Sequence, residues 1–303
     1  MKNSNIKTII SLVSIVCIWG SVWPIYKYAL QFSPPVLFSG IRSIIAGLFF
    51  SIILIPQWKL INWKENWSVY VISSIFNVIL FYGVQSIGLQ YLPAGLYSVI
   101  VYLQPVLVVI LAWAILQEPL TRIKLIGVLL GFLGVVIVSL DGISGKIAPI
   151  GFVLALITAI GWAIGTIYVK VKSNVVHALW LVALHNVIGG LCMFFYGLGV
   201  EDIRTIEWNV SFIVCLVYGA IFGVALAFIL YYQLIGKGEA GKVSSFTFLV
   251  PLIAVLIGTI FLNEPFTITL FIGMVLIIFS IYLINKPSNV INGKENEESL
   301  HTN

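Results

Sequence analysis

The sequence predicts an all-α integral membrane protein with ten transmembrane helices as two inverted five-helix repeats. Three observations predict it. The chain is 60% hydrophobic, only 9% charged, and has a mean hydropathy of +1.10 over 303 residues. Apolar runs follow one another along its length, which is more apolar surface than a soluble core can hide. Two phrases, ILQEPLTRIKLIG from Ile115 and IFLNEPFTITLFIG from Ile260, are near-copies.

Hydropathy places the spans at roughly 6–30, 35–55, 67–89, 94–116, 124–140, 149–169, 177–198, 210–235, 241–262 and 267–283. The runs are continuous, which argues against the alternating strands of a barrel. The first span follows Lys2 and Lys7. It is longer than a signal-peptide core and lacks a small-residue cleavage site, so it is read as a retained helix. The tail 285–303 is polar and reads as a disordered cytoplasmic extension. Cys17, Cys192 and Cys215 fall inside apolar runs with no metal spacing. They read as reduced core residues, with no disulfide, metal or cofactor implied.

Charge sets the orientation. With the N-terminus inside, twelve basic residues lie on the cytoplasmic side: Lys2, Lys7, Lys59, Lys64, Arg122, Lys124, Lys170, Lys172, Lys237, Lys242, Lys286 and Lys294. Only Lys146 and Arg204 lie in outer loops. This bias places both termini of a multi-pass membrane protein in the cytoplasm. The net charge of +5 sits at helix ends and is no signal for nucleic acid.

The near-copies belong to a longer repeat. A shift of 146 carries Ala94 onto Ala240, Ser98 onto Ser244, Pro105 onto Pro251, Glu118 onto Glu264 and Thr121 onto Thr267. A shift of 143 carries Trp19 onto Trp162, Lys27 onto Lys170, Arg42 onto His185 and Gly47 onto Gly190. The repeats span 1–140 and 149–284. Five helices is an odd number, so the second copy enters the membrane inverted. Inverted repeats build carriers whose halves rock about a site near the midplane.

Four segments carry a family resemblance: WGSVWPIYK from Trp19, the arginine of SGIRSIIAG from Ser39, LQEPLTRIKLIGVLLGFLGVVIV from Leu116 and LNEPFTITLFIGMVLIIFSIYLI from Leu262. Together they resemble the EamA-type members of the drug/metabolite transporter superfamily, over about residues 8–284. The resemblance implies a carrier of small metabolites, often an exporter, with amino acids among its frequent substrates. It implies a cavity built by helices 1–4 and 6–9, with helices 5 and 10 at the periphery.

Ionisable groups inside a membrane are costly and therefore candidates for function. All eleven Asp and Glu fall in loops, tails or helix ends. That disfavours a cation site built on a mid-span carboxylate. The intramembrane polar set is basic or neutral: Lys27, Arg42, Asn77, Gln85, Gln104, Thr166, His185 and Ser244, with Trp19, Trp23, Tyr82, Tyr102, Trp162 and Phe248 as aromatic contacts. Such a set suits a carboxylate-bearing or neutral metabolite with an apolar or aromatic part. Pro105 and Pro251 mark kinks. His185 is the intramembrane group whose ordinary pKa lies near neutrality, which makes proton coupling one option beside exchange.

Plainer roles stand beside these. Lys27 also suits snorkelling to headgroups. Arg42 also suits pairing with a backbone carbonyl or a helix-end glutamate, and Lys170 suits topology alone. His185 also suits a hydrogen-bonded core site, and both tryptophans suit packing. Multidrug efflux is the alternative transport function, and a channel is the alternative outside the carriers. Gly142-Ile143-Ser144-Gly145 matches an intramembrane-protease motif, but Asp141, Lys146 and Pro149 beside it make it turn material. Glu118 and Glu264 read as punctuation before a new helix, with Thr121 and Thr267 as N-caps. A second role is to latch a gate by pairing with a cation. The small-molecule substrate and the bilayer are the expected partners, for a monomer or homodimer.

Overall fold

The computed structural model describes residues 2–92, 94–139, 149–261 and 268–286. Apart from short 3-10 turns at Ile55–Ile61 and Ile203–Thr205, the described residues group into ten helical segments, some of them interrupted, with no strand among them. In chain order they are α1 (Lys2–Ala29), α2 (Pro35–Leu54), α3 (Trp63–Gly88), α4 (Ala94–Val101 and Gln104–Leu116), α5 (Arg122–Ser139), α6 (Pro149–Lys172), α7 (Ala178–Val200), α8 (Val210–Lys237), α9 (Ala240–Ser245 and Leu249–Phe261) and α10 (Ile268–Asn285). Among the described residues, six helices are long and apolar enough to cross a membrane by length and composition. The chain is an all-α integral membrane protein.

Local sequence explains the boundaries. Pro34 ends the first turn region and Pro35 opens α2, where its missing N–H costs nothing. The Asn209 side chain accepts from Phe212 N at 2.8 Å and caps α8. Thr121 Oγ1 accepts from Lys124 N at 3.3 Å, so it caps α5 as the sequence predicts. Both kinks appear where the prolines put them. The α4 ladder breaks at Tyr102–Leu103, just before Pro105. In α9 a 3-10 turn at Phe246–Phe248 precedes Pro251.

Packing pairs equivalent helices of the two halves. α2 runs along α7, and α5 along α10. A Cβ on Gly47 would sit 2.7 Å from Ala183 O, and one on Gly190 2.8 Å from Ile44 N. Glycine at these matched positions is what lets α2 and α7 approach backbone to backbone.

One expectation needs correcting. Cys17 and Cys192 are exposed on the outer surface, and only Cys215 is buried. Each apolar run is a helix face as much as a core, so position in a run does not decide burial. Nor does hydropathy reveal the π-helical stretches at Ile75–Gly83 in α3 and Gly219–Leu226 in α8. Glu264, Thr267 and the Gly142–Gly145 segment lie outside the described residues.

Candidate functional site

Trp19 of α1 and Trp162 of α6 are matched by the repeat, and they touch. Their rings meet edge to face, 5.3 Å apart at 86°. When equivalent residues of two similar halves meet, they mark the axis relating those halves. Around this contact lies a small cavity of about 20 Å³, lined by Trp19, Trp23, Tyr26, Phe81, Tyr82, Gln85, Tyr102, Trp162, Gly223 and Phe228 among others. That space holds about one water. Anything larger must move aromatic rings aside.

Six of the predicted residues thus come together on this lining: Trp19, Trp23, Tyr82, Gln85, Tyr102 and Trp162. Three more form a polar layer next to it. Gln104 Nε2 donates to Thr166 Oγ1 and to Tyr231 OH, each at 3.2 Å. The Tyr231 hydroxyl shares a 2.8 Å bond with Ser244 Oγ. Four helices, α4, α6, α8 and α9, are tied by these bonds.

Arg42 sits behind the lining. It is 0% exposed, and none of its three guanidinium nitrogens has a hydrogen-bond partner. Aromatic rings enclose it instead. Its guanidinium carbon lies 3.9 Å from the Tyr26 ring centroid, 4.9 Å from Tyr82 and 5.1 Å from Phe38. Cation–π attraction offsets part of the desolvation cost, about 2 kcal/mol for a buried pair. It leaves every N–H donor unused. The expected partners of Arg42, a backbone carbonyl or a helix-end glutamate, are not what it meets.

His185, its match in α7, is bound. Its Nδ1 shares a 2.8 Å bond with Ser73 Oγ, which also accepts from Asn77 Nδ2 at 3.1 Å. The ring stands edge-on to Tyr232, 6.0 Å away.

The remaining predicted residues lie elsewhere. Lys27 Nζ donates to the carbonyls of Leu89 and Leu92, at the end of α3. Lys170 Nζ donates to Gly236 O at 3.1 Å and Gly238 O at 2.7 Å, at the end of α8. Both close the last turn of the third helix in their half, where a cation is favourable. Phe248 is buried in a separate core with Val106, Val128 and Ile277, away from the cavity. Glu118 accepts from Ala240 N at 2.7 Å and Gly241 N at 3.3 Å. It therefore caps α9 of the other half, not the helix that follows it in sequence. The nearby cation, Lys124, pairs with Glu239 at 2.6 Å instead. At the opposite end of the bundle Glu201 makes a similar tie, accepting from Val36 N at 3.0 Å and Leu37 N at 2.8 Å.

Comparison with known proteins gives the family. The EamA-like transporter family matches the chain twice, at residues 6–140 and 149–286. The chain belongs to the EamA-like transporter family. It is 44% identical over 282 residues to the uncharacterized transporter YvbV of Bacillus subtilis (strain 168), covering 93% of this chain and 92% of that one. It is 26% identical over 284 residues to a probable amino-acid metabolite efflux pump of Salmonella typhimurium, covering 89% and 91%. A solved crystal structure shares the fold with a TM-score of 0.77 at 17% identity, covering 92% of this chain and 96% of that one. Family and relatives indicate a multi-pass membrane transporter of small molecules rather than an enzyme.

Sequence reasoning missed several residues in and around this cavity: Tyr26, Phe81, Phe228, Tyr231 and Ser73. Tyr26 carried a usable signal, since it lies three residues beyond Trp23 and seven beyond Trp19 on one helical face. Phe81 and Phe228 carried none, because aromatics in apolar spans do not announce which side they face. Gly223 entered through its backbone, whose carbonyl accepts from Trp19 Nε1 at 3.1 Å.

Proposed function

We propose that this EamA-like transporter is an alternating-access carrier of the bacterial inner membrane, built from two inverted halves with cytoplasmic termini. It exports or exchanges small carboxylate-bearing or aromatic metabolites, amino acids and related compounds among them. The observation that carries this reading is Arg42, a fully buried guanidinium without a hydrogen-bond partner, beside the cavity where the two halves meet. A buried cation of this kind is stabilised by an anion, and a carboxylate fits its planar fork. The aromatic lining supplies stacking surface for the rest of the ligand. Helix breaks before Pro105 and Pro251 and π stretches in α3 and α8 flank the site, as irregular helices do at transport sites. The name of the Salmonella relative points toward the same substrate class.

Counterflow in proteoliposomes tests the reading. Vesicles preloaded with unlabelled substrate take up label faster than empty ones if the protein is a carrier. Unsaturable flux with no trans-stimulation indicates a channel. A screen of amino acids, organic acids, nucleosides and organic cations tests the chemistry. Organic cations as the only substrates would overturn the role given to Arg42 and favour multidrug efflux.

A further inference from the structure

The cavity and Arg42 are neighbours without being connected. Arg42 is absent from the cavity lining, whereas Tyr26 and Tyr82 belong to it. Both rings also lie against the guanidinium, at 3.9 and 4.9 Å. They therefore form the wall between the space a ligand enters and the cation that would bind its carboxylate. The third ring on Arg42, Phe38, contacts the guanidinium at 5.1 Å and does not line the cavity.

Neither tyrosine is firmly anchored at its hydroxyl. Tyr82 OH is buried with no hydrogen-bond partner. Tyr26 OH has one long bond, 3.3 Å to Gly219 O. That carbonyl belongs to the π stretch of α8, where Gly219 and Gly223 leave the Tyr26 ring room against the helix backbone. A Cβ on Gly219 would lie 2.6 Å from the Tyr26 ring. Buried hydroxyls this weakly held leave the rings free to be exchanged for a better partner of the guanidinium.

We propose that Tyr26 and Tyr82 are a shutter over Arg42, which a substrate carboxylate must displace before it reaches the guanidinium. The rings stabilise the cation between transport events through their π faces and yield to a carboxylate, which offers both charge and acceptors. Ligands without a carboxylate leave the shutter closed, so the two tyrosines set specificity as well as cover. This rests on Arg42 being the carboxylate receptor, and its test needs no substrate.

The chain has three arginines, Arg42, Arg122 and Arg204, and the last two are exposed. Purified protein is treated with phenylglyoxal, and the adduct on each arginine peptide is followed by mass spectrometry. Arg122 and Arg204 serve as internal references. In the parent protein Arg42 labels slowly. In Tyr26→Leu and Tyr82→Leu its labelling relative to the references rises about tenfold, as expected when a desolvated cation–π cover is removed. Tyr26→Phe keeps the ring and drops only the bond to Gly219, so it raises labelling about twofold to threefold. Phe38→Leu removes a ring of similar size on the side away from the cavity and separates uncovering from general loosening. Its labelling stays within about twofold of the parent. Equal acceleration in Phe38→Leu and the tyrosine variants, or no acceleration in Tyr26→Leu and Tyr82→Leu, overturns the shutter. Loss of carboxylate transport in Arg42→Gln tests the receptor reading separately. A protein that passes the labelling test and fails this one has a shutter over a cation that is not the substrate's.

Discussion

Lys27 and Lys170 occupy matched positions in the two halves and do the same work. Each donates to two backbone carbonyls at the end of the third helix of its half. Arg42 and His185 are also matched, yet their surroundings have parted. His185 shares a bond with Ser73 in a short polar chain, while Arg42 keeps all its donors unpaired inside three rings. A duplicated fold keeps a residue pair alike where backbone geometry needs it twice. Under the proposed function it diverges where one substrate would meet two halves from different sides. On that reading the comparison separates framework cations, Lys27 and Lys170, from a site cation, Arg42.

Removing the site cation should have the largest effect. Arg42→Gln lowers carboxylate transport by about thirtyfold, the equivalent of about 2 kcal/mol for truncating one partner of a buried charge pair. Its melting temperature stays level or rises, because a costly unpaired buried cation is gone. A loss of stability to match the loss of transport would make Arg42 framework after all.

The framework pair should respond in parallel. Lys27→Met and Lys170→Met each lose about 1.5 kcal/mol of stability, the range for hydrogen bonds to a charged group, read as lowered thermal midpoints. If Lys27→Met abolishes transport while Lys170→Met only loosens the fold, then Lys27 touches substrate and the pair is not equivalent.

His185→Gln sharpens the other side of the contrast. Glutamine can still bond Ser73, so stability changes by less than about 1 kcal/mol. Transport loses its pH dependence if the imidazole carries protons. Full retention of that dependence excludes His185 as the coupling group.

The smallest effect belongs to Glu239, outside the spans. Burial alone would raise its carboxyl pKa, but hydrogen bonds from Lys124 and Lys242 outweigh that and hold it below the usual value. The stabilisation is therefore present above the ordinary carboxylate pKa and is lost as pH falls through the depressed one. The Glu239 side chain is 33% exposed, and solvent screening keeps the contribution to about 0.5 kcal/mol. Melting curves should fall slightly on acidification below about pH 4.5, and Lys124→Met should flatten that fall.

Much of this fold was legible because membrane helices must be apolar along their length. The predicted and observed bounds of most segments agree within a few residues. The starts of α1 and α3 differ most, at Lys2 in place of 6 and Trp63 in place of 67, because polar residues such as Asn3, Asn5, Lys64 and Glu65 lower the hydropathy of each first turn. The site was legible in part. Trp19 and Trp162 could be paired from the repeat before their contact was known. Lys27 looked like a binding residue because it is an ionisable group within a span, and sequence does not show that backbone carbonyls are its partners. Phe248 looked like an aromatic contact in α9. The 3-10 turn places it in another core. Tyr26 was passed over as one aromatic among many, and only the position of Arg42 shows what it covers.

Glu118 and Glu201 tie the halves together at opposite ends of the bundle, and the two ties share no residue. Each is one carboxylate accepting from two peptide N–H groups, so under the proposed function each end would open at its own cost. In a carrier, a continuous pore needs both ends open at once, and the chance of that is the product of two small probabilities. Tightness against ions and protons is then a property of the pair. Deleting either carboxylate should raise passive leak while leaving the order of substrate preference untouched.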